Sequence, residues 1–287
     1  HGRKLFFVTV RPTKMEDAPG SPENQYLMEI QTVQSGAIKV LTEALKELLT
    51  DTVLEVDHTG VRIVAMDVSH VVLVHLKLHA DKFESFHCPQ PMQLGVNMLN
   101  LYKIIKTISN SDMLTLYVED GDMNHLGIRI DNAEKNSRTN YKLNLLDLDG
   151  SIITVQPSQF SSVITLMSSD VQKIFRDLNQ VSELVEIKRI RNDLIFKSYK
   201  GDFCSQETVV SETTVRENPD ADEETMREDQ GDIIQGLFAL KYLVMFTRCS
   251  SLSSTVDILL KNDFPIIFMY TVSSLGSLKL CLATSTP

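Results

Sequence analysis

The sequence predicts an α+β fold made of two similar domains, and three observations carry that reading. Short β-rich segments far outnumber helical stripes. The order of strands and helices restarts past the middle of the chain, with matching helices roughly 130–142 residues apart, a period too long for a solenoid. At 287 residues the chain has room for two domains of ordinary size.

A short strand is expected at 5–10, followed by a loop over 11–26 marked by Pro12, Pro19, Gly20 and Pro22 among charges. Residues 27–34 read as a strand. Residues 36–49 read as a helix, with Ile38, Leu41, Leu45, Leu48 and Leu49 on one stripe. Strands follow at 53–57 and 61–66 around a His58-Thr59-Gly60 turn, then at 70–79, where Val71, Val72 and Val74 favour β. A second helical stripe carries Met98, Leu101, Ile104, Ile105 and Ile108, and strands near 113–119, 125–131 and 138–146 close the first unit. The pattern then restarts. Val171, Ile174, Phe175, Leu178 and Val181 mark a third helix, with strands at 184–190, 194–199 and 206–212. Leu237, Leu240, Leu243 and Val244 mark a fourth, with strands at 254–261, 265–272 and 277–283. The expected division is an extension over 1–26, domain one over 27–146, a connector over 147–157 and domain two over 158–287. Strands 138–146 and 206–212 are expected as exposed edges, which invite pairing with another chain.

Composition excludes several classes. No stretch approaches the roughly 18 uncharged apolar residues a membrane span needs, so no membrane partner is expected. Residues 1–7 are too short an apolar run for a signal peptide. Cys88, Cys204, Cys249 and Cys281 lie far apart with no CxxC pair, which reads as free thiols in a reducing compartment. The net charge of −10 argues against a simple basic coat for nucleic acid, unless positive charge is segregated on one face. Much of the negative charge sits in 212–232, where nine carboxylates face Arg216 and Arg227, the composition of a solvated loop.

Catalytic chemistry finds little support. His75 and His79 would make a metal pair on a helix, but on a strand they lie about 13 Å apart at roughly 3.3 Å per residue. Asp120 and Asp122 flank Gly121 as hairpin-turn residues do. Asp220-Ala-Asp222 hints at a calcium loop, yet the position needing Gly is Thr225. GxSxG, GxGxxG and Walker A motifs are absent. No enzyme, metal or cofactor is expected.

The helices carry more information. Each predicted helix sets a pair of cations opposite its apolar stripe: Lys39 and Lys46, Lys103 and Lys106, Lys173 and Arg176, Lys241 and Arg248. Spacings of three and seven keep each pair on one side. Glu43, Glu47 and Asp177 dilute the pattern. If the four helices line one surface, that surface is positive on a negative body. It can then approach a phosphate backbone without reading bases.

Five segments are recognisable: Met66-Asp-Val-Ser-His70-Val-Val-Leu-Val74, Leu145-Leu-Asp-Leu-Asp149, Phe175-Arg-Asp-Leu178, Phe238-Ala-Leu-Lys-Tyr-Leu243 with Leu252-Ser-Ser-Thr-Val256, and Leu278-Lys-Leu-Cys-Leu-Ala283. In this order and spacing, over about 27–284, the chain resembles the proliferating cell nuclear antigen family of sliding clamps. The resemblance implies two repeated clamp domains per chain in a closed homotrimeric ring, with inner helices and outer sheets. It implies a DNA polymerase processivity factor that encircles duplex DNA without sequence preference. The implied partners are polymerase and other PIP-box-type proteins and a clamp loader, at the nucleus or another site of DNA replication, a viral factory if the chain is viral. All eight helix cations fall where the family faces DNA. A partner-peptide pocket is implied at Met66, His70, Val71, Ile153, Val155, Pro265, Leu282 and Ala283. Departures from the family pattern, including Gln156, Cys281, Thr284 and Arg191, point to a divergent member. Two other readings stand beside this one: a subunit of a heterotrimeric checkpoint-like clamp, and a non-encircling peptide-binding scaffold.

Overall fold

The computed structural model describes residues 26–148, 160, 162–201, 203–211, 213–217, 234–262 and 264–285. The predicted strand at 5–10, most of the connector and the acidic segment beyond Glu217 lie outside these residues.

The first half runs β1 (Tyr26–Thr32), α1 (Ser35–Leu48), β2 (Asp51–Asp57), β3 (Gly60–Met66), β4 (Val72–His79), β5 (Ser85–His87) and β6 (Met92–Asn97). It continues with α2 (Met98–Ile105), β7 (Met113–Glu119), β8 (Asp122–Asn132) and β9 (Ser137–Asn144). The second half repeats the order with β10 (Ser162–Met167), α3 (Ser168–Leu178), β11 (Leu184–Ile190), β12 (Asp193–Tyr199), β13 (Glu207–Val210) and β14 (Thr214–Glu217). It ends with β15 (Ile234–Ala239), α4 (Leu240–Phe246), a 3₁₀ turn (Thr247–Ser251), β16 (Thr255–Leu259), β17 (Ile266–Val272) and β18 (Gly276–Leu282).

Two expectations need correction. Leu237 is on β15, paired with Glu186, and not on the fourth helix, because that helix starts only at Leu240. Arg248 lies on the 3₁₀ turn that follows α4. Strands β5, β6, β10, β14 and β15 were not expected. The remaining elements match their predicted positions closely, and the repeat is explicit in the sheets.

A five-stranded sheet has the order β5-β1-β7-β8-β9, and a four-stranded sheet has the order β13-β12-β11-β15. A nine-stranded sheet, β14-β10-β16-β17-β18-β4-β3-β2-β6, is a composite of both patterns. Its first five strands are the second half's version of the five-stranded sheet. Its last four are the first half's version of the four-stranded sheet. The two fuse where β18 pairs antiparallel with β4, from Gly276 opposite Leu78 to Leu282 opposite Val72. At this seam Val72, Val74, Leu278, Leu280 and Leu282 are fully buried. The strands expected as edges, now β9 and β13, are edges.

Local chemistry fixes the turns and caps. Gly60 closes the β2–β3 hairpin at φ +144°, and a Cβ there would meet the Leu78 carbonyl oxygen at 1.9 Å. Asn97 caps α2 by accepting from the Asn100 N–H. Helix α1 buries Ile38, Leu41, Leu45 and Leu48. The cores differ in chemistry. In the second half the Phe175 ring packs edge-on against Phe196 and Phe268, with centroids 5.5 and 5.8 Å away. In the first half the core is mainly aliphatic and holds a cavity of about 70 Å³ beside Ile38, Leu45, Ile63 and Met98.

Candidate functional site

The four helices form one layer in the order α2, α1, α4, α3, with α1 touching α4 and its 3₁₀ extension across the boundary between the halves. Their apolar stripes face the sheets, so their polar sides share the outer surface of the layer. Lys103, Lys106, Lys173, Arg176, Lys241 and Arg248 are all exposed there. Lys39 and Lys46 are more committed. The Lys39 Nζ donates to the Ile108 carbonyl at 3.0 Å, just past α2, and so ties the two helices of the first half together. Lys46 pairs with Glu47 and sits 4.8 Å from the Tyr102 ring centre. The Lys46 hydrogen bond holds the Glu47 carboxyl below the usual range against a burial penalty, and Arg248 from the other half adds to the effect.

The face of the composite sheet turned away from the helices carries the other predicted site. Strand alternation decides what it presents. Leu76 and Leu78 point inward, so Leu73, His75 and Lys77 point out. On β18, Leu278, Leu280 and Leu282 point inward, so Lys279 and Cys281 point out. Leu282 is therefore fully buried, and the outward position beside it belongs to Cys281. Met66 is 38% exposed, opposite Leu73, which is opposite Cys281, so an apolar row crosses three strands. Val71 and Ala283 adjoin this row, the Ala283 N–H donating to the Val71 carbonyl at 3.1 Å. His70 and Pro265 are exposed. Ile153 and Val155 lie outside the described residues.

The Met66–His70 segment owes its shape to Asp67. Its Oδ1 accepts from the Val71 and Val72 N–H groups at 2.8 and 2.7 Å, and its Oδ2 accepts from the Ser69 N–H and hydroxyl. Burial pushes the carboxyl upward, but these hydrogen bonds outweigh it and hold Asp67 below the usual range. The turn sets His70 at φ +56°. Ser69 Oγ lies 2.6 Å from the Tyr242 hydroxyl on α4, so the turn spans from the sheet face to the helix layer.

Comparison with known proteins is decisive. A family model for the proliferating cell nuclear antigen N-terminal domain matches residues 27–152, and one for the C-terminal domain matches 154–285. The chain belongs to the proliferating cell nuclear antigen family. It is 34% identical over 264 residues to the "Probable DNA polymerase sliding clamp 1" of Paramecium bursaria Chlorella virus 1, covering 91% of this chain and 98% of that one. It superposes on the crystal structure of the proliferating cellular nuclear antigen from Entamoeba histolytica with a TM-score of 0.80 at 25% identity, covering 91% of this chain and all of the other.

Within this family member, sequence reasoning missed Leu73 as part of the outward apolar row. Counting by twos from Val71 gives it directly. Asp122 is accounted for without chemistry. Asp122 binds His125 Nδ1 at 2.5 Å and Lys142 Nζ at 2.9 Å, which holds its carboxyl low, and Lys142 reaches Glu119 at 2.8 Å as well, so that one ammonium on β9 clamps the β7–β8 hairpin.

Proposed function

We propose that this chain is a DNA polymerase processivity factor that closes into a homotrimeric ring around duplex DNA. One observation carries the reading. The seam between β18 and β4 is made inside the chain, while the matching strands β9 and β13 are left as free edges. The repeat makes β9 the counterpart of β18 and β13 the counterpart of β4. An edge of one copy is therefore complementary to the other edge of the next, and such a head-to-tail contact closes when the rotation per subunit allows. Three copies supply six domains and twelve helices.

The helix layer then lines the hole. Its free cations meet phosphates weakly and without sequence preference, which permits sliding. The ring acts by topology and makes no covalent change in its substrate. Polymerase and other proteins bearing PIP-box-type peptides dock on the outer face around Met66, His70, Val71, Pro265 and Ala283, with Ile153 and Val155 of the connector over them. Leu282 supports this patch from beneath. A clamp loader opens the ring, and the site of action is wherever DNA is replicated, the nucleus or a viral factory.

Transferring the register of the internal seam through the shared hairpins places Arg138 of one copy opposite Val209 of the next. Directly opposed residues lie about 4.5–5.5 Å apart, within disulfide reach. Arg138→Cys with Val209→Cys should yield disulfide-linked trimers under mild oxidation, and either substitution alone should not. A native mass of one subunit at micromolar concentration, with no cross-link, would refute the ring.

A further inference from the structure

The outward face of the composite sheet does not end at its apolar row. The next row holds His75 directly opposite Lys279, and the row beyond holds Arg62 directly opposite Lys77. His75 and Lys77 are two apart on β4, so the four cationic or ionisable side chains form one compact block. Glu55 offsets Arg62, with its carboxylate 2.6 Å away. Among the described residues, no carboxylate lies within ion-pair distance of Lys77 or Lys279. The block is thus a local positive centre on a chain of net charge −10. Burial, and after it Lys279, Arg62 and Lys77, hold the His75 imidazole below its usual range.

We infer that this block is an acidic-peptide subsite: it binds Asp or Glu residues that flank the apolar anchors of a docked partner peptide. The inference rests on the reading of the apolar row as a peptide-docking site. Leu73 and Lys77 are four residues apart on one strand, about 13 Å. An extended peptide leaving the row crosses that distance in roughly four residues. Charge complementarity selects the occupant. A nucleic-acid backbone would have to pass Glu55 and Asp57, which border the block, and would gain nothing from the apolar row. A short acidic flank beside apolar anchors matches both.

The test uses the full trimer and three labelled synthetic peptides sharing one glutamine-plus-paired-aromatic core. One has neutral flanks, one has three acidic residues before the core, and one has them after it. Fluorescence anisotropy at low salt should show one acidic peptide binding about tenfold tighter than the neutral one, as two or three exposed ion pairs supply. The gain should fade at high salt. Lys77→Glu with Lys279→Glu should remove the gain and leave both neutral-peptide affinity and native mass unchanged. If all three peptides bind equally, the subsite is refuted while the docking site stands. If none binds, the docking site fails and takes the subsite with it. If duplex DNA of equal charge displaces the acidic peptide from the wild type but not from the double variant, the block is a general polyanion site and the inference is overturned.

Discussion

The chain carries the strands of one seam twice and pairs them only once. Between β18 and β4 the backbone groups are paired and Leu278, Leu280 and Leu282 are sealed from solvent. At β9 and β13 the inward side chains Tyr141, Leu143 and Val210 remain half-buried, and Val209 is 49% exposed. The helix layer divides in the same way. Lys39 and Lys46 are satisfied inside the chain, whereas Lys103, Lys106, Lys173 and Lys241 make no ion pair with a described residue. The difference teaches where to look for partners in a repeat protein: at groups whose counterparts elsewhere in the chain are already satisfied.

Breaking the finished seam should have the largest effect. Leu280→Ala removes a fully buried side chain and should cost about 2–5 kcal/mol, read as a lower urea midpoint for the whole chain. Breaking the unfinished one should separate assembly from folding. Asn140→Pro deletes an N–H on the free side of β9, since the odd-numbered residues of that strand donate to β8, and should leave monomers on native mass spectrometry. Their helix and strand content by circular dichroism should stay unchanged, and a trimer would mean that β9 is not the contact.

The cations sharpen the contrast. Replacing Lys103, Lys106, Lys173 and Arg176 with Ala should weaken DNA association equally on unrelated sequences. It should flatten the slope of log K against log salt by about 0.9 per lost phosphate contact. Lys39→Ala should instead lower stability by about 1 kcal/mol through its lost hydrogen bond, with little change in that slope. An equal slope change for Lys39→Ala would place its ammonium on DNA after all.

The effect confined to one range of pH concerns the turn beside the finished seam. Asp67→Asn keeps the shape but loses the charge that receives four donors, and should cost about 1–2 kcal/mol at neutral pH. Because folding lowers this carboxyl below its unfolded value of about 3.9, its contribution is full above that pH. It is lost as pH falls through the folded value. The gap between wild type and variant in urea melts should therefore close in acid, and a gap constant down to pH 2 would rule out the charge as its source.

Much of this was legible in the sequence because alternation and helical stripes are local signals. The two edges and the repeat followed from them. Three things were harder to read. Strand β6 hides behind Pro91 and Gly95, and β15 runs straight into α4, so Leu237 at three residues before Leu240 mimics a helical neighbour. The Leu282 and Cys281 assignment depends on strand parity, where one residue exchanges inside for outside. The cationic block joins β3, β4 and β18, whose residues meet only through register across more than 200 positions of chain.

The cavity in the first half has a consequence of its own. Empty apolar space is volume that unfolding can eliminate, so hydrostatic pressure acts on it as heat or denaturant does not. The side chains around it also forgo the dispersion contacts that a filled core would supply. Compression therefore bears first on the packing of α1 and α2 against β1, β3 and β7, well away from the aromatic core of the second half.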